Sequence, residues 1–81
     1  MENLLKFLIM ENLPDSGESV LKESLMHNVI LDAMDLKKTW RLDIFEKSLI
    51  DLNEKQFIFV NNEKETVTVT QYGINKHADK D

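Results

Sequence analysis

The sequence predicts a mainly helical domain with a small β-hairpin near its end, from three observations. Apolar residues recur at three- and four-residue intervals as far as Leu52, which is the period of a helix. After Gln56 the period falls to two, the period of a strand. The 81 residues, 42% apolar and 31% charged, suffice for one core and are too few for a second, so the chain reads as a single domain, neither disordered nor collagen-like. A chain of this size is expected to bind rather than to catalyse.

Residues 1–13 read as an N-terminal helix, in which Leu4, Leu5 and Leu8 with the flanking Phe7 and Ile9 form a wide apolar face that Pro14 ends. Residues 15–38 read as further helix. Asp15 followed three residues later by Glu18 matches a helix-start box, in which each side chain satisfies an early backbone N–H. Val20, Leu21 and Leu25 then mark the stripe of a second helix to about His27, and Asn28 is a cap for a third, short one through Ile30, Leu31, Ala33 and Met34. A single bent helix is the other arrangement these residues allow. Lys37 and Lys38 suit a helix C-terminus, where cations meet the negative end of the macrodipole.

The strongest helical pattern is 40–56, with Thr39 as its cap. Leu42, Phe45, Leu49 and Leu52 share its inward face, and Trp40, Asp43, Lys47, Asp51 and Glu54 its outward face. Residues 57–70 form the hairpin: Phe57 to Val60, a polar tip at 61–65, then Thr66 to Thr70 with Val67 and Val69 inward. A short terminal helix and polar tail occupy 71–81. The expected core is Leu4, Phe7, Leu8, Leu21, Leu25, Ile30, Met34, Leu42, Phe45, Leu49, Leu52, Phe57, Phe59, Val67 and Val69, with Met10 and Met26 as filler.

Much chemistry is excluded. The absence of cysteine removes disulfides, thiolate zinc sites and cysteine nucleophiles, and fits a reducing cytoplasm. His27 and His77 each have one carboxylate at helical spacing, Glu23 and Asp81, which reads as two solvated pairs and falls short of a zinc site. With no glycine-rich phosphate loop and no nucleophile elbow, no enzymatic activity, cofactor, metal or small-molecule substrate is expected. The apolar run Leu4 to Met10 is too short to cross a bilayer, and Glu2 precedes it where a secretory leader carries positive charge, so a cytoplasmic protein without membrane contact is expected. That run also offers more apolar surface than a short helix buries in so small a domain. It therefore predicts a homodimer in which this helix crosses between subunits with Lys6 at the rim.

The net charge of −5 is unevenly spread. Residues 1–36 hold two lysines against seven acids, whereas 37–56 hold five basic residues against four, and Lys37-Lys38-Thr39-Trp40-Arg41 is the one basic concentration.

Several helices, a long amphipathic helix running into a hairpin and a short last helix form the order of winged helix-turn-helix domains, and local wording agrees. Leu49-Ile50-Asp51-Leu52-Asn53-Glu54-Lys55-Gln56-Phe57-Ile58 resembles the passage from recognition helix to first wing strand in small bacterial or phage transcription regulators of that fold. Val69-Thr70-Gln71-Tyr72-Gly73-Ile74 resembles the segment that closes their second wing strand, where the Thr caps the last helix and the Gly sits in its first turn. The family usually has glycine near the end of the recognition helix, where this chain has Lys55-Gln56, and its recognition helices are less acidic than this one.

The resemblance implies a nucleic-acid-binding set of Lys37, Lys38, Thr39, Trp40, Arg41, Lys47 and Lys64. The start of the 40–56 helix would enter the major groove of double-stranded DNA, with Arg41 on a guanine edge, and the wing would lie on phosphate. Each basic residue also has a plain reading as a solvated surface charge, and Trp40 as a hinge anchor in the core or a protein-contact hot spot. Two functions result. The resemblance points to a small, dimeric DNA-binding transcription regulator. The acidic composition points to an interaction module or inhibitor that docks on a protein partner and does not bind DNA.

Overall fold

The computed structural model describes residues 2–78, in the order α1 (Glu2–Glu11), β1 (Val20–Leu21), α2 (Lys22–Asp35), α3 (Leu42–Glu54), β2 (Ile58–Asn61), β3 (Thr66–Val69) and α4 (Gln71–Ala78). The three strands make one antiparallel sheet in the order β1-β3-β2. In the central strand, Val67 faces Val20 on one side and Val60 on the other, while Ile58 faces Val69. The hairpin turn falls in 62–65, inside the tip expected from sequence. There Asn61 Oδ1 accepts from the backbone N–H groups of Glu63 and Lys64 (3.0 and 3.1 Å), which closes the turn.

The segment 15–38 departs most from expectation, because only 22–35 of it is helical. Asp15 and Glu18 form no helix-start box. They lie in an irregular stretch where Gly17, at φ +82°, donates its N–H to Pro14 C=O. Val20 and Leu21 are a strand, held by pairing with β3 and by a 2.7 Å hydrogen bond between the hydroxyls of Ser19 and Thr68. Two residues carry no readable period, so their apolar character was absorbed into the helical stripe beside them. What followed as two helices is one, and Asn28 lies inside it.

α2 and α3 end with the same device. The N–H of Lys37 bonds to Met34 C=O and that of Lys38 to Ala33 C=O; Gln56 and Phe57 repeat this with Asn53 and Leu52. These are Schellman closures, whose first residue past the cap takes a left-handed conformation. Lys37 (φ 57°) and Gln56 (φ 66°) both do so. Gln56 thus takes a left-handed position that glycine usually fills. At its other end, α3 begins at Leu42 with Arg41 in the cap position and no side-chain cap, so Thr39 does not serve as one.

α1, α2, α3 and the inner face of the sheet enclose one core, including Leu5, Leu8 and Ile9, Leu25, Val29 and Ala33, Phe45, Leu49 and Leu52, and Ile58, Val67 and Val69. Ser48 is buried among them because its hydroxyl donates to Ile44 C=O at 2.7 Å. Five expected core residues are exposed instead: Phe7, Leu21, Met34, Leu42 and Phe59. Alternation decides two of these, since Ile58 and Val60 face inward and turn Phe59 out, as Val20 turns Leu21 out. Met34 lies one helical step past buried Ala33, and Leu42 stands at the open first turn of α3. Phe7 stacks on the His77 ring, 5.4 Å between centroids. The apolar run of α1 is otherwise consumed within the chain, with Leu5 and Ile9 fully buried.

Thr70 and Gly73 lock α4 to the end of α3. The Thr70 N–H donates to Phe57 C=O (3.0 Å), its hydroxyl donates to Gln56 C=O (2.7 Å), and that hydroxyl oxygen accepts the Gly73 N–H (2.9 Å). Thr70 is therefore the cap of α4 with Gly73 in its first turn, as the resemblance implied. A Cβ on Gly73 would overlap the Phe57 carbonyl. Gly73→Ala is expected to destabilise by about 2 kcal/mol or more through that backbone clash. Leu49→Ala, which opens a cavity in the seam of α3, is expected to cost about 2–4 kcal/mol. Urea titration checks both, and a loss below about 1 kcal/mol at Leu49 would mean that a different side of α3 faces inward.

Candidate functional site

The basic residues proposed from sequence occupy three places. Lys37, Lys38 and Thr39 are exposed in the six-residue connection from α2 to α3, where the Schellman closure fixes the backbone of both lysines. Arg41 is exposed at the start of α3, Lys47 is exposed one turn further in, and Lys64 is exposed in the hairpin turn. Trp40 is set apart from these: it is half-buried and packed against the core, so it anchors the connection from beneath. The structure thus gathers Lys37, Lys38, Thr39 and Arg41 into one connection and leaves Lys64 on a separate loop.

Arg41 is engaged. Its Nε and Nη2 donate to the two carboxylate oxygens of Asp43 at 3.1 and 3.0 Å, a bidentate pair. The fork that would address a guanine edge is occupied by an acid of its own chain.

The exposed side of α3 follows from the burial of its other side. With Phe45, Ser48, Leu49 and Leu52 inward, Asp43, Lys47, Ile50 and Glu54 fall on one outward stripe. Asp51, placed on that face from sequence, turns aside to pair with Lys6 of α1 at 3.3 Å, and Ile50 takes its place with 58% of its surface exposed. Ile50 is the residue that sequence reasoning missed. The signal was its spacing of seven from Asp43, which puts both on one side of the helix.

A groove of about 390 Å³ runs beside this stripe, between α3 and the hairpin, with Lys22, Glu46, Ile50, Glu54 and Asn62 among its walls. Lys22 lies in its wall. Its backbone N–H donates to Glu65 C=O (2.8 Å) and its ammonium pairs with Glu46 at 2.9 Å, which joins α2, α3 and the hairpin at one residue. With Lys22 matched by Glu46, Glu54 leaves the groove acidic.

His77 pairs with Glu11 and not at helical spacing; Asp81, the partner expected from sequence, lies outside the described residues. His27 is exposed. Among the described residues, no group of three or more His, Cys, Asp or Glu side chains could hold a metal ion, and no helix is long and apolar enough to cross a membrane. No family model, curated protein or solved structure matches the chain.

The Arg41–Asp43 pair is about two-thirds exposed on both sides, where solvent and salt screen such pairs. Asp43→Ala and Arg41→Ala are each expected to change stability by less than about 0.5 kcal/mol in a denaturant titration. A loss above about 1 kcal/mol would make the pair part of the fold.

Proposed function

We propose that this chain is a winged-helix domain whose α3 face docks on a protein with a basic surface. The winged-helix part is supported by the order α1-β1-α2-α3-β2-β3-α4, by the sheet order β1-β3-β2, and by Thr70 capping α4 over Phe57. In that architecture α3 is the recognition helix and β2–β3 the wing.

The functional part rests on the composition of the exposed α3 stripe: Asp43, Ile50 and Glu54 with the single base Lys47, and Glu46 at its edge. Duplex DNA presents a phosphate charge about every 1.7 Å of its axis, so each carboxylate carried into a groove offsets about what a lysine contributes. Arg41 brings no surplus charge, because Asp43 matches it. An exposed isoleucine ringed by acids suits a different surface, one with an apolar centre and a basic rim. There Ile50 and Leu42 would anchor, and Asp43 and Glu54 would steer association.

DNA binding is the second reading, and one observation favours it. Lys37 and Lys38 before α3, and Lys64 at the hairpin turn, are all exposed at the two places where a winged helix meets phosphates.

Fluorescence anisotropy with pooled random duplexes at low salt separates the readings. Non-specific DNA binding has a Kd of about 10⁻⁴ to 10⁻⁶ M, so the docking reading predicts no saturation up to about 100 µM protein. Saturable binding with a log-log salt slope of about −3 or steeper, flattened by Lys37→Ala with Lys38→Ala, would give the surface to DNA. For the partner itself, a photoreactive residue at position 50 in extract of the source cells should crosslink one protein. Excess wild-type chain should compete that adduct away, and a chain carrying Glu54→Lys should compete poorly.

A further inference from the structure

On the flank of α3 away from the acidic groove, α1, the end of α3 and α4 line a pocket of about 180 Å³ that opens to solvent. Its walls are apolar, with Phe7, Met10, Leu52 and Phe57. Its polar lining is wholly basic: Lys6, Lys55, Lys76 and His77. In a chain where acids outnumber bases by fifteen to ten, four basic groups around one cavity with no acid in its lining is a concentration of charge that packing does not require.

Two of the four are answered from nearby, Lys6 by Asp51 and His77 by Glu11. The other two are not. The Lys76 ammonium sits over the Tyr72 ring, 5.6 Å from its centroid, and pairs with no carboxylate among the described residues. Lys55 has no carboxylate partner among the described residues. These ammonium groups come from different elements, one just past α3 and one on α4, and the close approach of α4 to Phe57 that Gly73 permits brings them to the same cavity.

We infer that this cavity binds a small aromatic carboxylate. Its volume is close to the roughly 150 Å³ of an apolar protein cavity that takes up one benzene, which suits a single ring with its carboxylate at the open side among the lysines. Phe7 and Phe57 offer ring faces and edges to an aromatic body. Lys55 and Lys76 offer charge-assisted hydrogen bonds to its head, and a phosphate or acetate alone would leave the apolar walls wet. The site shares none of its lining residues with the acidic groove, so it stands whether α3 meets protein or DNA.

The test is a titration of the ¹⁵N-labelled protein with benzoate, with acetate as the head alone and benzyl alcohol as the body alone. Benzoate should give saturable amide shifts confined to α1, residues 52–57 and α4, with half-saturation in about the low-millimolar range. Acetate and benzyl alcohol should each bind at least about fivefold more weakly. Lys55→Gln with Lys76→Gln, checked for native dispersion in the same spectra, should weaken benzoate about tenfold and leave benzyl alcohol unchanged. Should that pair fail to disperse, the single Lys55→Gln replaces it with a smaller loss of the same sign. The inference is overturned if benzoate does not saturate, if it binds no better than acetate, or if the lysine variants bind it as wild type does.

Discussion

α1 and β2 both pack against α3, through the side that carries Phe45, Leu49 and Leu52, and in a chain with one small core the burial of that seam decides what remains available on every other side. Leu5, Leu8 and Ile9 meet it from α1, and Ile58 continues it into the sheet. Once the seam is inward, helical geometry leaves no choice about the outward stripe, which is Asp43, Lys47, Ile50 and Glu54. The same geometry puts Asp51 within reach of Lys6 and Glu46 within reach of Lys22. The ion pairs therefore follow the packing.

The junction after α3 shows how the helix is held in place. Leu52 C=O accepts the Phe57 N–H, and Phe57 C=O accepts the Thr70 N–H, so one short segment ties α3, the sheet and α4 together. Asn53 adds a further tie, its Oδ1 accepting the Val60 N–H on the outer edge of β2. This segment has little freedom, because Gly73 lies against Phe57 with no space for a side chain. The two flanks of α3 diverge in character from here. Glu46 and Glu54 line the groove on the hairpin side, and Lys55, one residue later, lines the cavity on the α1 side.

The hairpin and the inward seam of α3 were legible in the sequence because each has a period that chemistry enforces over several residues, and the Thr70–Gly73 cap was what the resemblance implied. β1 was not, since Val20 and Leu21 become a strand only by pairing with β3, a partner more than forty positions away. The left-handed turns at Lys37 and Gln56 were hidden for another reason: glycine advertises such a conformation, and here lysine and glutamine bear its strain. Asp51 was placed on the outward face and Ile50 on neither, because nothing near Asp51 in sequence shows its ion-pair partner on α1. For the candidate surface, the basic connection before α3 could be read directly. The acidity of the stripe mattered more, and it emerged only when the inward side was fixed.

Acid on the exposed side of α3 would decide what the domain can approach. The most direct measurement compares the wild type with a chain carrying Asp43→Lys and Glu54→Lys in low-salt anisotropy against pooled duplex DNA, since both residues are exposed and neither supports the core. The variant should gain salt-sensitive duplex binding at about micromolar to hundred-micromolar concentrations while the wild type stays unbound. Equal behaviour of the two proteins, bound or unbound, would contradict it.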